Sequence, residues 1–197
     1  ELLRRIGELG LLGTDVSEEF DGAGLDKITS IIVGEAVGRS ASFATTFGAQ
    51  TGLSITPLIC FGTEAQKRKY LPRLVSAEIV GAYALSESGA GSDPLSGKAQ
   101  ATRQPDGSFV LNGEKMWITN GGFADVFVVF AKVDGEHFTA FIVQRGPRVT
   151  TRNEEHKMGI LGSSATPVIF SDARGAAAAV RGVIGQGPKG AVNVLNY

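Results

Sequence analysis

The sequence predicts an α+β fold in three parts, and three observations along its 197 residues support this. Apolar residues recur at helical spacing up to about residue 79, which predicts an N-terminal all-α domain over residues 1–78. Short apolar or alternating runs between turn residues then predict an antiparallel β-barrel or sandwich domain over residues 79–187. A glycine-proline loop followed by apolar residues predicts the start of a C-terminal helical domain at 188–197.

Three groups of apolar residues predict the first helices. They are Leu2, Ile6 and Leu9, then Ile28, Ile32 and Ala36, then Phe43 and Phe47. Further on, Thr63 and Gln66 form a T-x-x-Q capping box, which satisfies free backbone amides where a helix begins. Pro57 and Pro72 mark a kink or a helix boundary.

The second part contains six runs that predict strands. They are Ile79–Leu85, Phe109–Leu111, Lys115–Thr119, Asp125–Val133, Phe138–Val143 and Pro167–Phe170. Turn sequences separate them at Pro105-Asp106-Gly107, Asn112-Gly113, Asn120-Gly121-Gly122 and Asp134-Gly135. Turns of this kind predict that successive strands pair antiparallel. The run Val126–Val133 is apolar on both faces, which predicts a strand buried between two layers or inside a closed barrel.

Composition excludes several functional classes. Hydrophobic residues make up 43% of the chain and the net charge is −1, so neither disorder nor electrostatic binding of nucleic acid is indicated. The single cysteine, Cys60, forms no internal disulfide, and with only His137 and His156 no cluster has the spacing of a metal site. No apolar run reaches the ~18 to 20 residues of a membrane span. Redox chemistry would therefore depend on an organic cofactor.

Both ends of the sequence indicate a piece of a longer chain. The first residue is not methionine, and Glu1–Arg5 does not begin a secretory signal. The last residues, Ala191–Tyr197, stop inside an apolar pattern. We therefore expect further sequence on both sides.

A glycine-rich loop after a predicted strand is the first segment that carries chemistry. It lies within Tyr83–Asp93, where Gly89 and Gly91 lack a Cβ and let backbone amides approach a phosphate closely. Ser86 and Ser92 offer hydroxyl donors at the two ends of the loop. The alternative is a tight turn after a strand, because no helix follows as in the nucleotide fingerprint of a doubly wound sheet.

The second such segment, Lys115–Gly122, carries the only tryptophan. Residues two apart on a regular strand face the same side, so Trp117 and Thr119 are expected to lie together. A planar indole beside a hydroxyl is able to flank a flat aromatic cofactor and hydrogen-bond one of its ring heteroatoms. The alternative is a core tryptophan with an incidental threonine.

The two segments together, in this order, resemble the signature stretches of the acyl-CoA dehydrogenase family, Y-x-[VL]-[TS]-E-x-G-A/S-G-S-D and K-x-W-I-T-N-G. The similarity also covers Leu9–Gly13, Phe20–Gly24, Phe61–Lys67, Tyr70–Pro72 and His156–Gly159. Three stretches look most like the branch that acts on long and very long acyl chains. They are Phe127–Val133, Thr139–Phe141 and Lys157–Ile160.

The resemblance implies a flavin site on the β domain. The residues implied to bind FAD are Tyr83, Ala84, Leu85, Ser86, Gly91, Ser92, Trp117, Ile118 and Thr119. Among them, the Thr119 hydroxyl would hydrogen-bond the flavin N5, and Ser92 would reach the pyrophosphate and also touch the acyl-CoA substrate. Ser86 stands where the family more often has threonine, which keeps the hydroxyl.

The resemblance also implies the reaction, an α,β-dehydrogenation of acyl-CoA thioesters to trans-2-enoyl-CoA, as in fatty acid β-oxidation. A carboxylate takes the α-proton, and in the family this glutamate lies in the C-terminal helical domain, beyond Tyr197. No catalytic residue is therefore assigned here, Glu87 is interpreted as a structural hydrogen-bond partner, and the fragment itself is expected to be inactive. Arg174–Gly182 departs from the family pattern of V-P-x-x-N-x-L-G.

Other functions remain open at this point. A related flavoprotein, such as an acyl-CoA oxidase or a flavin monooxygenase, would use the same scaffold, and so would a non-catalytic module that binds acyl-CoA or a protein. The resemblance implies an electron-transferring flavoprotein as partner and a homodimer or homotetramer when the chain is full length. It also implies the bacterial cytoplasm or the mitochondrial matrix as the location.

Overall fold

The computed structural model of the protein describes residues 1–177 and residue 185. The predicted start of a third domain at 188–197 lies outside these residues. The described helices are α1 (Leu2–Glu8), α2 (Lys27–Gly38), α3 (Ala41–Gln50), α4 (Thr56–Phe61) and α5 (Glu64–Val75). A π-helical turn at Thr51–Ile55 joins α3 to α4, and short 3₁₀ turns lie at Glu18–Phe20 and Pro94–Ser96.

Helix α5 begins as the sequence predicts. The Thr63 hydroxyl accepts the Gln66 amide at 3.3 Å, and the Gln66 side chain accepts the Thr63 amide at 2.8 Å, which completes the capping box. Pro57 lies in the first turn of α4, where its missing N–H is not needed. Pro72 lies inside α5 and ends no helix.

Helix α2 exists as predicted, but its apolar stripe faces outward. Ile28 and Ile32 are 66% and 59% exposed, and no residue of α2 is buried by the described residues. Val33 and Val37 on the same helix are half-buried against a small cluster that contains Phe47. Helical spacing therefore identified the helix, whereas the stripe that it marked is not the side that packs.

The strands form one seven-stranded sheet. They are β1 (Gly81–Ala84), β2 (Gln100–Arg103), β3 (Phe109–Thr119), β4 (Val126–Val133), β5 (His137–Gln144), β6 (Val149–Thr151) and β7 (Ala165–Ala177). The sequence did not predict β2 and β6, because both are short and mainly polar and give no apolar run.

The predicted β domain is present, but it is not purely antiparallel: the sheet of the described residues is mixed and is not a closed barrel. Strands β1 and β2 both pair parallel with β4, since the long segment after β1 carries the chain away and does not turn it back as a hairpin. The β4–β5 hairpin at Asp134-Gly135 is antiparallel as expected. The β2–β4 and β5–β7 contacts consist of two residue pairs each, which leaves a curved sheet.

A second correction concerns Asn112-Gly113, which is part of strand β3. The two predicted runs on either side of it form one continuous strand, with a shift in the pairing with β7 between Leu111 and Gly113. Gly113 has φ +152°, and a Cβ there would lie 2.7 Å from the Cβ of Ala99. The Asn112 side chain pairs across the sheet with Asp172. Gly113 therefore allows the backbone of β3 to approach Ala99 closely, and it does not form a turn.

Strand β4 lies between two layers, as its apolar run predicts. Phe127 and Val129 belong to the core inside the curved sheet, while Val128 and Phe130 pack in a cluster on the other face. Val126 packs in a third cluster against the helices. The strand is therefore buried on both faces and fixes the position of β1, its parallel neighbour.

Candidate functional site

A cavity of about 410 Å³ brings the two predicted segments together. This volume lies within the range of ~300–1,000 Å³ that is typical of small-molecule sites. The predicted residues that line it are Tyr83, Leu85, Ser86, Gly91, Ser92, Trp117, Ile118 and Thr119, joined by Ala49, Leu53, Pro94 and Met116. Ala84 does not line it, because its side chain belongs to the opposite core.

The first wall of the cavity is strand β1 and the residues that leave it. Tyr83 and Leu85 line the cavity, whereas Ala84 between them is fully buried on the other side, as strand alternation requires. The Tyr83 ring packs against Phe130 with centroids 5.1 Å apart. Burial raises the pKa of the Tyr83 hydroxyl, which has no hydrogen-bond partner among the described residues. Tyr83 is therefore a neutral, mostly apolar part of the wall.

The second wall is the end of β3, where the strand is irregular. Its pairing with β7 shifts between Lys115 and Ile118, and Trp117 has φ +58°, which is uncommon for a bulky residue. Consequently Trp117, Ile118 and Thr119 all line the cavity, which a regularly alternating strand does not achieve. Trp117 and Thr119 thus lie together as expected, but through the irregularity of β3 and not through the regular alternation that predicted it.

Three hydroxyls of this site are available to a ligand. Among the described residues, the side chains of Ser86, Ser92 and Thr119 make no hydrogen bond, and none of the three residues is buried. Trp117 is 53% exposed, an unusual value for the largest apolar side chain. Hydrogen-bonding groups and an aromatic surface are thus held open beside one another.

The glycine-rich loop lies at the open end of the cavity. Gly91 and Ser92 are exposed and line it, and Gly89 has open space around its Cα. Ala90 exchanges two backbone hydrogen bonds with Glu87, which folds the loop back on itself. This arrangement leaves loop backbone accessible to an anionic group, as the sequence predicts.

A buried ion pair behind the cavity is absent from the predicted site. Lys115 Nζ lies 2.8 Å from Glu87 Oε1 and 2.9 Å from the Leu85 carbonyl, and the Lys115 side chain has no exposed surface. The Glu87 carboxylate also accepts the amides of Lys98 and Ala99, which confirms its interpretation as a structural hydrogen-bond partner. The only sequence signal is the presence of a lysine in a predicted strand.

Burial and pairing act in opposite directions on the two charges. Burial alone would raise the pKa of Glu87, but the hydrogen bonds from Lys115 and two backbone amides, together with the lysine charge, hold it below its usual value. Burial lowers the pKa of Lys115, and Glu87 opposes that shift. Glu87 is therefore a carboxylate that accepts from three donors and is unsuited to act as a proton acceptor.

Two buried amide side chains fix the cavity walls to the helices. Asn120, which has φ +64°, donates to the carbonyls of Thr46 and Gly81. Gln50 donates to the carbonyls of Leu74 and Ile79 and accepts the Gly81 amide at 2.7 Å. Both residues are fully buried, and both reach the first residue of β1. Sequence reasoning missed Gln50 and used Asn120 only as a turn residue.

A second cavity lies elsewhere and carries no predicted site residue. It measures about 690 Å³ and is lined by residues such as Thr102, Val110, Arg148 and Arg174. It is a groove on the sheet without an aromatic side chain. We therefore place the candidate site in the smaller cavity, where the hydroxyls, the indole and the glycine loop converge.

The remaining candidates contribute nothing to the cavity. His137, His156 and Cys60 do not line it, and burial raises the pKa of the Cys60 thiol. Among the described residues there is no group of three or more His, Cys, Asp or Glu placed to hold a metal ion. The same residues include no helix long and apolar enough to cross a membrane.

Comparison with known proteins gives family matches to both halves of the chain. Residues 1–78 match the family described as acyl-CoA dehydrogenase, N-terminal domain, and residues 82–173 match its middle domain. The two matches together include both walls of the cavity.

Three curated relatives illustrate the range of similarity. A probable acyl-CoA dehydrogenase of Bacillus subtilis (strain 168) is 51% identical over 99% of this chain and 33% of its own length. A mitochondrial isovaleryl-CoA dehydrogenase of Pongo abelii is 40% identical over 92% of this chain and 45% of its own length. A mitochondrial very long-chain specific acyl-CoA dehydrogenase of Macaca fascicularis is 39% identical over 98% of this chain and 32% of its own. The chain thus spans about a third to a half of the length of these relatives.

Solved structures agree closely in fold. An acyl-CoA dehydrogenase from Bacillus anthracis complexed with FAD matches with a TM-score of 0.95 and 51% identity over 99% of this chain and 34% of that one. Butyryl-CoA dehydrogenase from Megasphaera elsdenii matches with a TM-score of 0.92 and 37% identity over 99% of this chain and 53% of that one. A chain from a structure titled for the electron transferring flavoprotein of Acidaminococcus fermentans matches with a TM-score of 0.93 and 36% identity, over 99% of this chain and 53% of that one.

Proposed function

Because the chain belongs to the acyl-CoA dehydrogenase family, we propose that its cavity binds FAD and that the complete protein converts acyl-CoA thioesters to trans-2-enoyl-CoA. One observation carries the proposal. Two segments at least 24 positions apart in sequence, within Leu85–Ser92 and Met116–Thr119, line a single cavity with unpaired hydroxyls on both walls. A site that contacts one ring system from two sides requires both segments to lie at the same cavity.

The residues fit the ring and the diphosphate of FAD in chemical character. Tyr83, Leu85 and Ile118 supply apolar contact for a flat ring, and the exposed loop at Gly91 and Ser92 offers backbone and hydroxyl donors for a diphosphate. When bound, FAD supplies the hydride acceptor that this set of side chains lacks. The remaining part of the nucleotide would extend along the surface beyond the loop.

Each hydroxyl is given a role toward the cofactor. The Thr119 hydroxyl would donate to the flavin N5, the atom that accepts hydride, and the Ser86 hydroxyl would hydrogen-bond the ring from the opposite wall. The Ser92 hydroxyl would donate to the pyrophosphate and would also contact the acyl-CoA. Trp117 covers the ring with its indole, which its exposure leaves free to do.

The proton acceptor of the reaction comes from outside the described residues. None of the residues that line the cavity is acidic or a histidine, and Glu87 is committed to Lys115 and two backbone amides. We propose that a glutamate beyond Tyr197 takes the α-proton. The 197-residue chain alone is then expected not to turn over.

A long acyl chain is the finer proposal. It is supported by the stretches Phe127–Val133, Thr139–Phe141 and Lys157–Ile160, which look like the long-chain branch. Overall identity does not discriminate, because the isovaleryl and very long-chain relatives match equally well. A series of acyl-CoA substrates of increasing length, compared by kcat/KM, decides the question.

Partners and organisation follow as proposals of the same kind. Electrons would leave through an electron-transferring flavoprotein, and the complete protein would form a homodimer or homotetramer in a bacterial cytoplasm or a mitochondrial matrix. We propose the domain limits 1–78 and 79–187, with a helical domain from 188 onward. The abrupt change from α5 to β1 supports the first limit.

The proposal is tested on the complete protein, purified without added cofactor. We expect a yellow protein whose flavin absorbance bleaches when long-chain acyl-CoA is added without oxygen. Thr119→Val removes one donor and is expected to lower the rate of bleaching by ~10²-fold or more. Thr102→Val, a matched change on strand β2 outside the cavity, is the control and should leave the rate unchanged.

Three outcomes would contradict the proposal in different ways. A colourless protein that binds no added FAD would end it. Peroxide release during turnover without an added acceptor would favour an acyl-CoA oxidase. A protein that binds FAD and acyl-CoA but never bleaches would favour a non-catalytic binding module.

A further inference from the structure

The loop that lines the open end of the cavity is closed at its base by one side chain. The loop runs from Ser88 to Gly97, and Glu87 directly precedes it. The Glu87 carboxylate accepts the backbone amides of Lys98 at 2.6 Å and Ala99 at 3.1 Å, which directly follow the loop. The two ends of the loop are therefore held together by the carboxylate, in addition to the backbone hydrogen bonds between Glu87 and Ala90.

The same carboxylate is fixed to the opposite wall. Lys115 lies on β3 immediately before the irregular stretch at Met116 and Trp117, and its ammonium contacts Glu87 and the Leu85 carbonyl. The Met116 amide donates to the Ser86 carbonyl at 2.9 Å, which adds a backbone link at the same level. A single buried pair thus connects the exit of β1, the closing end of the loop and the bulged end of β3.

The surroundings of the pair leave it little freedom. Lys115 is fully buried and Glu87 is 9% exposed. Gly97 packs so closely that a Cβ there would lie 2.8 Å from Glu87 Oε1 and 3.2 Å from the Pro94 carbonyl oxygen. Neither charged residue lines the cavity. The pair therefore acts on the cavity only through the backbone segments that it holds.

We infer that Glu87 and Lys115 are positioning residues, which hold the glycine loop and the bulged end of β3 in the geometry that receives the cofactor. The inference deepens the proposed function, because it concerns how the proposed FAD site is kept in shape. We therefore expect that breaking the pair makes residues 88–97 open locally, at temperatures well below that at which the whole chain unfolds.

The test compares Glu87→Gln and Lys115→Met with the unaltered chain, using hydrogen–deuterium exchange in the absence of FAD. Glu87→Gln replaces one carboxylate oxygen by an NH₂ group. One of the two backbone amides, of Lys98 or Ala99, can then lose its acceptor. Met at 115 keeps the stem but removes the ammonium. Hydrogen bonds to charged groups are strong enough that each variant should speed exchange in residues 88–97 by ~10-fold or more, relative to β4 and β5.

The second readout is FAD affinity, measured by isothermal titration calorimetry on the same proteins. Both variants are expected to raise the dissociation constant by ~10-fold or more. The matched control is Glu78→Gln, which breaks the exposed Arg73–Glu78 pair on the helical side and should change neither readout. A role in global stability alone would speed exchange throughout the chain by a common factor, and that result would overturn the inference.

A milder variant keeps the test decisive if either substitution prevents folding. Gly97→Ala changes neither charge but forces a Cβ against the Glu87 carboxylate, so it should loosen residues 88–97 in the same direction with a smaller factor. Unchanged loop exchange and unchanged FAD affinity in Gly97→Ala would contradict the inference.

The two readouts separate this inference from the proposed function. If the loop loosens in the variants while even the unaltered complete protein fails to bind FAD, the positioning role stands and the cofactor assignment fails. If FAD binds equally well to all variants although the loop has loosened, the cofactor assignment stands and the positioning role fails.

Discussion

Two buried polar connections hold strand β1, one at each end, and they differ in charge. At the beginning of β1 the neutral amide of Gln50 makes three hydrogen bonds, to the carbonyls of Leu74 and Ile79 and from the amide of Gly81. At its end the charged pair of Glu87 and Lys115 serves a similar purpose beside the cavity. The first connection joins β1 to the helices, and the second joins it to β3.

The difference between the two connections shows where in this fold a charged pair is buried despite its desolvation free energy. A neutral amide with all its partners satisfied is a cheap way to fix a strand, whereas a buried ion pair must recover several kcal/mol of desolvation for each ion. Among the described residues, a buried ion pair occurs only at the cavity end, where a loop rich in serine and glycine has no apolar core of its own to hold it. The ion pair therefore holds the loop in place at the end of β1, as apolar packing against the helices holds the beginning of the strand.

The largest loss of unfolding free energy should come from breaking the Glu87–Lys115 pair. Lys115→Met leaves the Glu87 carboxylate buried without its counter-ion, which typically costs about 3–5 kcal/mol of unfolding free energy. Urea denaturation followed by circular dichroism measures it. Arg73→Met, which removes the cation of an exposed pair, is the matched control and should cost less than ~1 kcal/mol. Equal losses in the two variants would contradict the role given to burial.

Breaking the neutral connection should cost less. Gln50→Leu keeps the apolar volume but leaves the Gly81 amide without its acceptor and removes one donor from each of the Leu74 and Ile79 carbonyls, and we expect a loss of roughly 2–3 kcal/mol. Gln104→Leu, whose side chain makes an exposed bond to the Thr102 carbonyl, is the control and should change stability by less than ~0.5 kcal/mol. A larger loss for Gln50→Leu than for Lys115→Met would reverse the comparison.

In the irregular end of β3, glycine is expected to be more stabilising than alanine, which is the opposite of the effect in an ordinary strand. Trp117 has φ +58°, a conformation that costs a residue with a Cβ about 1 kcal/mol or more and glycine almost nothing. Trp117→Gly should therefore be more stable than Trp117→Ala by about 1 kcal/mol, measured by thermal unfolding. In regular β4, Ala131→Gly is expected to be destabilising, and a destabilising glycine at 117 would show that the bulge is not strained.

The smallest effect is a difference in pH dependence between the two connections. The pKa of Glu87 is lowered from 4.5 in the folded state, so its carboxylate stabilises the fold above that pH, and the contribution is lost as pH falls through the folded pKa. The stability difference between the unaltered chain and Glu87→Gln should therefore stay nearly constant above about pH 5 and shrink as the pH falls below 4.5 toward the folded pKa. The amide of Gln50 does not titrate, so the difference for Gln50→Leu should stay constant.

Local sequence signals predicted much of the fold. The capping box at Thr63, the double-faced burial of β4 and the Asp134-Gly135 hairpin depend on neighbouring residues, and all three are present. Partners distant in sequence were not predictable from periodicity. The parallel pairing of β1 with β4 is such a case, because alternation reports which face is buried and not which strand lies alongside. Asn112-Gly113 was misassigned because a glycine for close strand contact looks like a glycine for a turn.

The candidate site divides in the same way. The residues implied to bind FAD were identified from their chemistry and from the family pattern, and the structure brings all of them except Ala84 to one cavity. Glu87 was interpreted as a structural partner, but its pairing with Lys115 was missed. Lys115 and Glu87 lie 28 positions apart, and nothing local distinguishes a buried lysine from a solvated one. The bulge at Trp117 likewise depends on the pairing with β7, which the strand's own residues do not specify.

The exposed indole on the bulged wall has a consequence for spectroscopy. Trp117 is the only tryptophan of the chain, so its intrinsic fluorescence comes from one residue at the rim of the cavity. Emission followed during denaturation therefore records when this wall opens, while the far-ultraviolet signal of the helices records when the rest of the backbone melts. Coincidence of the two curves would mean that the wall and the helices melt as one cooperative unit.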